Sequence, residues 1–392
     1  NEGLGTVPVV TLQAPETGGG FGACLLPVDL NGDALDELVV GAPGAARVYV
    51  YTPSSASPPM LQSLSGPPSS RFGAALAAGA SAPATTFVVT TTDDETGECT
   101  ADYCSLRQAI EAANANPGAD TITFDIPTSD PGYDPNTGQW TIHLSVGQLP
   151  ALADPGTIID ATQGGDCSSP VVIDATGVSY AMEITGTNHT ISGLVLRNAN
   201  TYGLYIHGSG AQSNTLSCSY VISNTVDGVH IADQAAHNSI GSTGADRPNV
   251  IALNGDDGIE ITGAAHHNTV VCNYIGTDLS GATAYPNSGY GVRISGGAMT
   301  NTVGLVGQCG NNLISGNTLG DVMISGSTTH GNVVQNNRIG TESGGTAVIA
   351  GLNPSLQNDG VVIAGASYNT IGPDNLISGH GRDGVRIQDN TA

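Results

Sequence analysis

One short stretch gathers oxygen ligands at alternate positions: Asp29, Asn31 and Asp33, then Leu35 through its backbone carbonyl, then Glu37. Hard oxygen donors at this spacing suit Ca²⁺, with Glu37 able to offer both carboxylate oxygens. The apolar runs on either side read as strands, so the loop would turn a hairpin rather than join two helices. Acid–base chemistry has a weaker candidate. Asp256-Asp257 is the densest carboxylate pair, with Glu260 just beyond Gly258, and glycoside hydrolysis needs two carboxylates at a defined separation. Yet Asp227, Asp257, Asp359 and Asp383 share one recurring turn position. Recurrence at a turn assigns them to the backbone, so no catalytic residue is expected. His230 follows the Asp227 turn, and His237 and His267 each immediately precede an Asn of their own repeat, with His266 adjacent and His330 near the same position. Histidines stacked on neighbouring coils can hold a metal, although a solvent-facing loop is the commoner place for this residue. A lyase would need an Arg or Lys base. Lysine is absent, and Arg293 and Arg386 share one position in repeats three coils apart. There is no Gly-x-Ser-x-Gly elbow and no phosphate loop.

Charge narrows the partners. Against 34 acidic residues stand nine basic ones, all arginine, for a net charge of −25. Nucleic-acid binding rests on Lys and Arg neutralising phosphates, so it is excluded. Docking on an anionic membrane surface is disfavoured for the same reason. Such a surface would also repel a polyuronate chain. No run approaches the ~18–20 apolar residues of a membrane span. Cys99 and Cys104 are close enough to bridge, which fits an exported protein. Cys24, Cys167, Cys218, Cys272 and Cys309 are scattered and read mostly as small buried fillers. The chain starts at Asn1 without Met and stops soon after a repeat has begun, so a piece of a longer, exported precursor is expected.

The elements that must carry these residues announce themselves by repetition. Tyr180-Ala-Met-Glu-Ile184 returns as Tyr202–Ile206, Asp227–Ile231, Asp257–Ile261 and Tyr290–Ile294, then at Asp321–Ile324, Asp359–Ile363 and Asp383–Ile387. An Asn-Thr-Ile-like element follows each phrase (Asn214, Asn238, Asn268, Asn301, Asn332, Asn369), then an Asn-x-Ile-like one (Asn249, Asn273, Asn312, Asn337, Asn375). Three short strands per turn, at a period in the twenties and thirties, predict a β-solenoid with inward Val, Ile and Leu stacks. Asn is expected at the bends in left-handed backbone, and Gly after the opening Asp or Tyr as a tight turn. Thr277–Ser288 and Glu342–Gln357 would be side loops. Earlier coils are expected at Thr121–Ile126, Thr141–Val146, Thr157–Ala161 and Val171–Ala175. The segment Cys99–Asn114 predicts one helix, with Ser105 as N-cap and Leu106, Ala109, Ile110 and Ala113 on one face. Its physical task would be to cover the open apolar end of the first coil.

Three resemblances rest on these motifs. Phe21-Gly22 and Gly41-Ala42-Pro43 around the Asp29–Glu37 loop resemble an FG-GAP repeat of the integrin α-chain propeller type. Arg71-Phe72-Gly73-Ala74 resembles the opening of a second repeat, without a calcium loop. The segment Cys99-Thr-Ala-Asp-Tyr-Cys104-Ser-Leu-Arg-Gln-Ala resembles the CSLREA module of bacterial surface proteins, with Gln108 where that family has Glu. Gln148-Leu-Pro-Ala151 leading to Ile158-Ile-Asp160 resembles the first coils of pectin-lyase-like proteins.

The expected fold is all-β: a right-handed parallel β-helix over residues 128–392, a capping module over 81–127, and a partial FG-GAP, β-propeller-like unit over 1–80 that ends in a Pro/Ser-rich linker. The expected function is a non-catalytic, exported structural or adhesive rod at a bacterial surface, binding Ca²⁺ through Asp29, Asn31, Asp33, Leu35 and Glu37. Its partners would be copies of itself, assembling into fibres, or a surface glycan or protein. A polysaccharide-active hydrolase, lyase or epimerase stays open as the alternative, as does a calcium-dependent glycan-binding module. Aromatic platforms would favour the last, but Tyr202, Tyr205, Tyr274, Tyr285, Tyr290 and Tyr368 read as dispersed.

Overall fold

The computed structural model describes residues 24–28, 37–42, 47–51, 60–65, 84–162, 167, 171–242, 248–305, 311–351 and 358–389. The chain divides into two units, Asn1–Ala82 and Pro83–Ala392. In the first, Cys24–Val28, Glu37–Ala42, Arg47–Tyr51 and Met60–Ser65 form an antiparallel meander in sequence order. Val40 and Tyr49 are buried. Four-stranded antiparallel sheets are the blade unit of propellers. Met60–Ser65 was expected to be linker by its Pro/Ser-rich surroundings. It is a strand because its backbone completes the free edge of Arg47–Tyr51. Asp29, Asn31, Asp33 and Leu35 lie outside the described residues, as do Phe72 and the side chain of Glu37.

The second unit is the expected parallel β-helix. Its three sheets have ten, eight and ten strands, and nearly every neighbour in them is a full coil away in sequence. The eight recurring phrases supply all eight strands of one sheet, from Tyr180–Ile184 to Val385–Gln388. The Asn-Thr-Ile and Asn-x-Ile elements supply the other two, and the strands expected before residue 176 join them at Thr121–Phe124, Gln139–His143, Ile158–Asp160 and Val171–Asp174. Register is kept coil after coil: Leu204 pairs with Val229, Val229 with Ile259, and Ile259 with Val292. Because successive strand residues face opposite ways, this register sends one set inward and the other to the flank. The inward set forms one continuous core.

The corners need a separate solution, since backbone turning inside a tight coil leaves polar groups away from water. Three asparagine ladders supply it. One runs Asn214–Asn238–Asn268–Asn301–Asn332–Asn369, each Nδ2 donating to the next Oδ1 at 2.9–3.1 Å. Asn238 shows the full set: its Nδ2 also donates to the Ala211 carbonyl, and its backbone N–H to Asn268 Oδ1. A second ladder runs Asn249–Asn273–Asn312–Asn337–Asn375. The third, Asn224–Asn254–Asn287–Asn317, ends on Asp321.

Two corner expectations need correction. The left-handed residue is not the ladder Asn but the residue before it: Ser213, His237, His267, Thr300 and Tyr368 have φ between 54° and 58°. That twist is what swings the Asn side chain inward. Nor does Gly258 turn through positive φ. A Cβ there would lie 2.6 Å from the Gly291 carbonyl and 2.8 Å from Asn287 Nδ2, so glycine is required by close approach of the next coil.

Helix Leu106–Ala115 packs on the terminal strands Thr86–Val89 and Thr121–Phe124 and puts Leu106, Ala109, Ile110 and Ala113 into the core. Gln108 closes a reciprocal capping box, its Oε1 accepting from Ser105 N–H while its own N–H donates to Ser105 Oγ. Arg107 is buried against Asp94 (Nε to Oδ1, 2.7 Å) and donates to the carbonyls of Gly147 and Gln148. Cys99 and Cys104 are bridged as expected. The scattered cysteines were expected to be fillers, but Cys167 is bridged to Cys218 and Cys272 is also disulfide-bonded. Stacking coils brings distant thiols together in a way that linear spacing cannot show. The side loops are pinned too: Ser343 N–H donates to Gly281 O, and Ala284 N–H to Ala350 O. Backbone donors from Thr346 and Gly344 hold the Glu342 carboxyl down at about 2.

Replacing Asn268 with Ala would strip partners from Asn238 and Asn301 at once. An unfolding midpoint by circular dichroism should report a loss of about 2–4 kcal/mol, from unsatisfied buried groups at about 1–3 kcal/mol each; an unchanged midpoint would remove the ladder from its structural role.

Candidate functional site

The flank of the eight-stranded sheet is built from the first and fourth residues of each phrase. The residues just before each closing Ile stack in one row: Glu183, Tyr205, His230, Glu260, Arg293, Met323, Val362 and Arg386. The first residues, Tyr180, Tyr202, Asp227, Asp257 and Tyr290, lie beside it. Coil spacing of about 4.8 Å makes each row a close-packed file of functional groups.

At one end the file is aromatic. Tyr180 stacks on Tyr202 with ring centroids 5.8 Å apart, and Tyr202 stacks on His230 at 4.1 Å. Tyr205 tilts against Tyr180 and Tyr202 and stacks on His207 at 4.0 Å. His207 Nε2 lies 2.8 Å from Glu183 Oε1. Burial, followed by nearby carboxylates, pushes the Tyr205 phenol up to about 12, so it remains a neutral hydrogen-bonding group. Tyr202 and Tyr205, expected to be dispersed, therefore meet. The signal was present in the letters: they occupy the first and fourth places of a phrase whose neighbours hold Tyr180 and His230.

Toward the middle the file becomes ionic. His230 Nδ1 lies 2.9 Å from Asp227 Oδ2 and 3.5 Å from Glu260 Oε2. Arg293 reaches between Asp257 Oδ2 and Glu260 Oε1, at 3.7 Å from each. Ligand atoms of Asp227, His230 and Glu260 lie within 4.8 Å of one another, as do those of Asp227, Asp256 and Asp257. The turn role expected for the aspartates is visible in their bonds. Asp227 Oδ1 accepts from Asp257 N–H at 3.0 Å, Asp257 Oδ1 from Tyr290 N–H at 2.6 Å, and Asp359 Oδ1 from Asp383 N–H at 3.0 Å. One oxygen of each is thus committed to the next coil, leaving the other for the flank.

Asp257 is the exception in its second oxygen. It is 1% exposed, and its Oδ2 has no hydrogen-bond partner. Burial raises its carboxyl to about 7, aided by Asp227 and Asp256 and opposed by the Tyr290 N–H and Arg293. Burial raises Asp256 as well. The file thus holds a carboxyl that titrates near neutrality among closely packed acids, the environment from which acid–base pairs are made.

A second group lies at the corner leading into the Asn-Thr-Ile strands, where His237, His266 and His267 converge. His330 is in register with His266, but Met299 separates them by a coil.

The FG-GAP repeat family model matches residues 21–51. No curated protein matches the chain. Among solved structures, the chain is similar to pectate lyase Pel9A at 13% identity, over 75% of this chain and 79% of that one, with a TM-score of 0.34. It is similar to the catalytic unit of a GH87 alpha-1,3-glucanase from Streptomyces thermodiastaticus at 14% identity, over 81% and 70%, with a TM-score of 0.33. It is similar to the Agl-KA catalytic domain at 13% identity, over 80% and 69%, with a TM-score of 0.25.

A raised carboxyl has a definite sign in stability. The folded state holds the Asp257 proton more tightly than the unfolded chain, so its contribution is fully present below the ordinary aspartate value and is lost as pH rises from about 4 toward 7. Asp257→Asn keeps the acceptor for Tyr290 N–H and removes the titration. Denaturant unfolding at a series of pH values should show a shallower decline over that window than in the wild type; parallel curves would contradict the assignment.

Proposed function

We propose that this chain is a non-catalytic, extracellular adhesive rod of bacterial-surface type that engages glycans along the flank of its eight-stranded sheet. The observation that carries this reading is the file Glu183–Tyr205–His230–Glu260–Arg293, in which phenol, imidazole, carboxylate and guanidinium groups follow one another at coil spacing. It is a linear, part-buried row with hydrogen-bond donors and acceptors along its length, which suits an extended chain of hydroxyl-bearing rings. The acidic balance favours neutral or basic glycans over polyuronates. Disulfides at Cys99–Cys104 and Cys167–Cys218 support an oxidising, exported setting. The resemblance of Cys99–Asn114 to CSLREA-type modules supports the surface location.

Hydrolysis is the second reading, favoured by one observation: Asp257 titrates near neutrality beside Asp227 and Asp256. Against it, Asp227 and Asp257 are buried and each gives an oxygen to the coil ladder. Panels of neutral, basic and acidic polysaccharides distinguish the two. Retention on a neutral or basic glycan, weakened at least about tenfold (1.4 kcal/mol) by Tyr205→Ala or Arg293→Ala, without new reducing ends, is expected. Release of reducing ends that Asp256→Asn abolishes would establish hydrolysis instead.

The same proposal assigns Ca²⁺ to Asp29, Asn31, Asp33, the Leu35 carbonyl and Glu37. Its support is the ligand chemistry and spacing, within the stretch matched by the FG-GAP repeat model. Calcium should protect residues 21–51 from limited proteolysis in the wild type and fail to do so in Asp33→Ala. Equal cleavage with calcium and with chelator would refute the site.

A further inference from the structure

The corner before the first asparagine ladder carries one side chain per coil on left-handed backbone. His237 and His267 fill that place in adjacent coils, with φ of 58° and 56°. Their rings stack with centroids 5.0 Å apart. His266 precedes His267 and sits in the bridge ladder between Ala236 and Met299, which fixes its backbone. Its ring stands edge-on to both others, 6.2 Å from His237 and 5.0 Å from His267. One nitrogen from each of the three lies within 4.8 Å of the other two.

We propose that His237, His266 and His267 form a three-histidine site for a divalent transition-metal ion of the zinc class, stapling two neighbouring coils. Three imidazoles with a fourth position left open are a recognised zinc ligand set. His266 Nδ1 and His267 Nδ1 are 2.8 Å apart, so one proton lies between the two nitrogens. A metal ion takes that proton's place, and the proton leaves to solvent. Ligands on bonds of about 2.0–2.1 Å at the tetrahedral angle stand about 3.3 Å apart, so this pair needs to open by only about half an ångström. His237 and His267 are exposed, which leaves their rings free to adjust. No carboxylate belongs to this group, so imidazole selects the borderline transition metals over Ca²⁺ or Mg²⁺. Thr300 Oγ1 lies 3.4 Å from His267 Nδ1 at the same corner of the next coil. The site is independent of the flank and of its glycan reading.

The test uses the whole chain with Co²⁺ as a spectroscopic probe and Zn²⁺ as competitor. One Co²⁺ per chain should bind, give the visible bands of an imidazole-ligated ion, and be displaced by Zn²⁺. His237→Asn and His267→Asn keep a residue that tolerates left-handed backbone. Each should weaken binding beyond the about 10–100-fold that outer-shell changes cost, with circular dichroism unchanged. His230→Gln, in the flank group with Asp227 and Glu260, should leave the bands and the affinity as they were. Absence of Co²⁺ binding overturns the proposal. So does binding that survives both Asn variants, or binding that disappears with His230→Gln.

Discussion

Everything in the β-helix depends on the asparagine ladders. A coil of three short strands turns sharply at each corner, and every corner turns backbone N–H and C=O groups away from water. A lone buried asparagine would add to that debt. Stacked asparagines cancel it, because each amide donates to the one ahead and to a carbonyl of the coil behind, as Asn238 does toward Asn268 and Ala211. The ladder also fixes register. A coil that slipped by one residue would break three ladders and turn its inward Ile and Val residues to solvent at once. Left-handed backbone ahead of most ladder residues, as at Ser213, His237, His267 and Thr300, and glycine where coils approach most closely, are consequences of seating these amides.

Fixed register is what turns repetition into a surface. Once every coil superposes, residues that share a place in the phrase become neighbours in space whatever the length of the intervening loop. The flank file arises this way, and so does the histidine corner. Both are made of ordinary side chains whose properties change because identical places are packed at coil spacing. Asp257 is pushed upward by burial and by its acidic neighbours, and His266 downward by burial and its neighbouring histidines. The few cations are spent locally: Arg107, Arg197, Arg293, Arg382 and Arg386 each lie against a carboxylate.

The ends and edges of the solenoid show a different economy. The open end is closed by one helix whose four apolar residues continue the core, and whose buried Arg107 donates from all three guanidinium nitrogens to Asp94 and two carbonyls. Removing one member of such a group would leave an unpaired buried charge. Among the described residues no helix is long and apolar enough to cross a membrane. The Cys167–Cys218 disulfide and the docked side loops tie coils to one another, adding constraints that the interior stacks do not provide.

The sequence by itself determined the coil. Its phrases mark the strands of one sheet, its asparagines mark two of the three ladder corners, and Ser105 with the apolar spacing of Leu106, Ala109, Ile110 and Ala113 marks the cap. These are legible because they depend on local periodicity and on residue chemistry that repeats. Only the tertiary structure decided which residues meet across coils. Tyr180, Tyr202, Tyr205 and His230 form one cluster, Cys167 finds Cys218 across 51 residues, and His237 reaches His266 and His267. Loop lengths differ from coil to coil, so linear spacing scrambles these pairs. The hydrogen-bonded register restores them, because it is counted in coils rather than in residues.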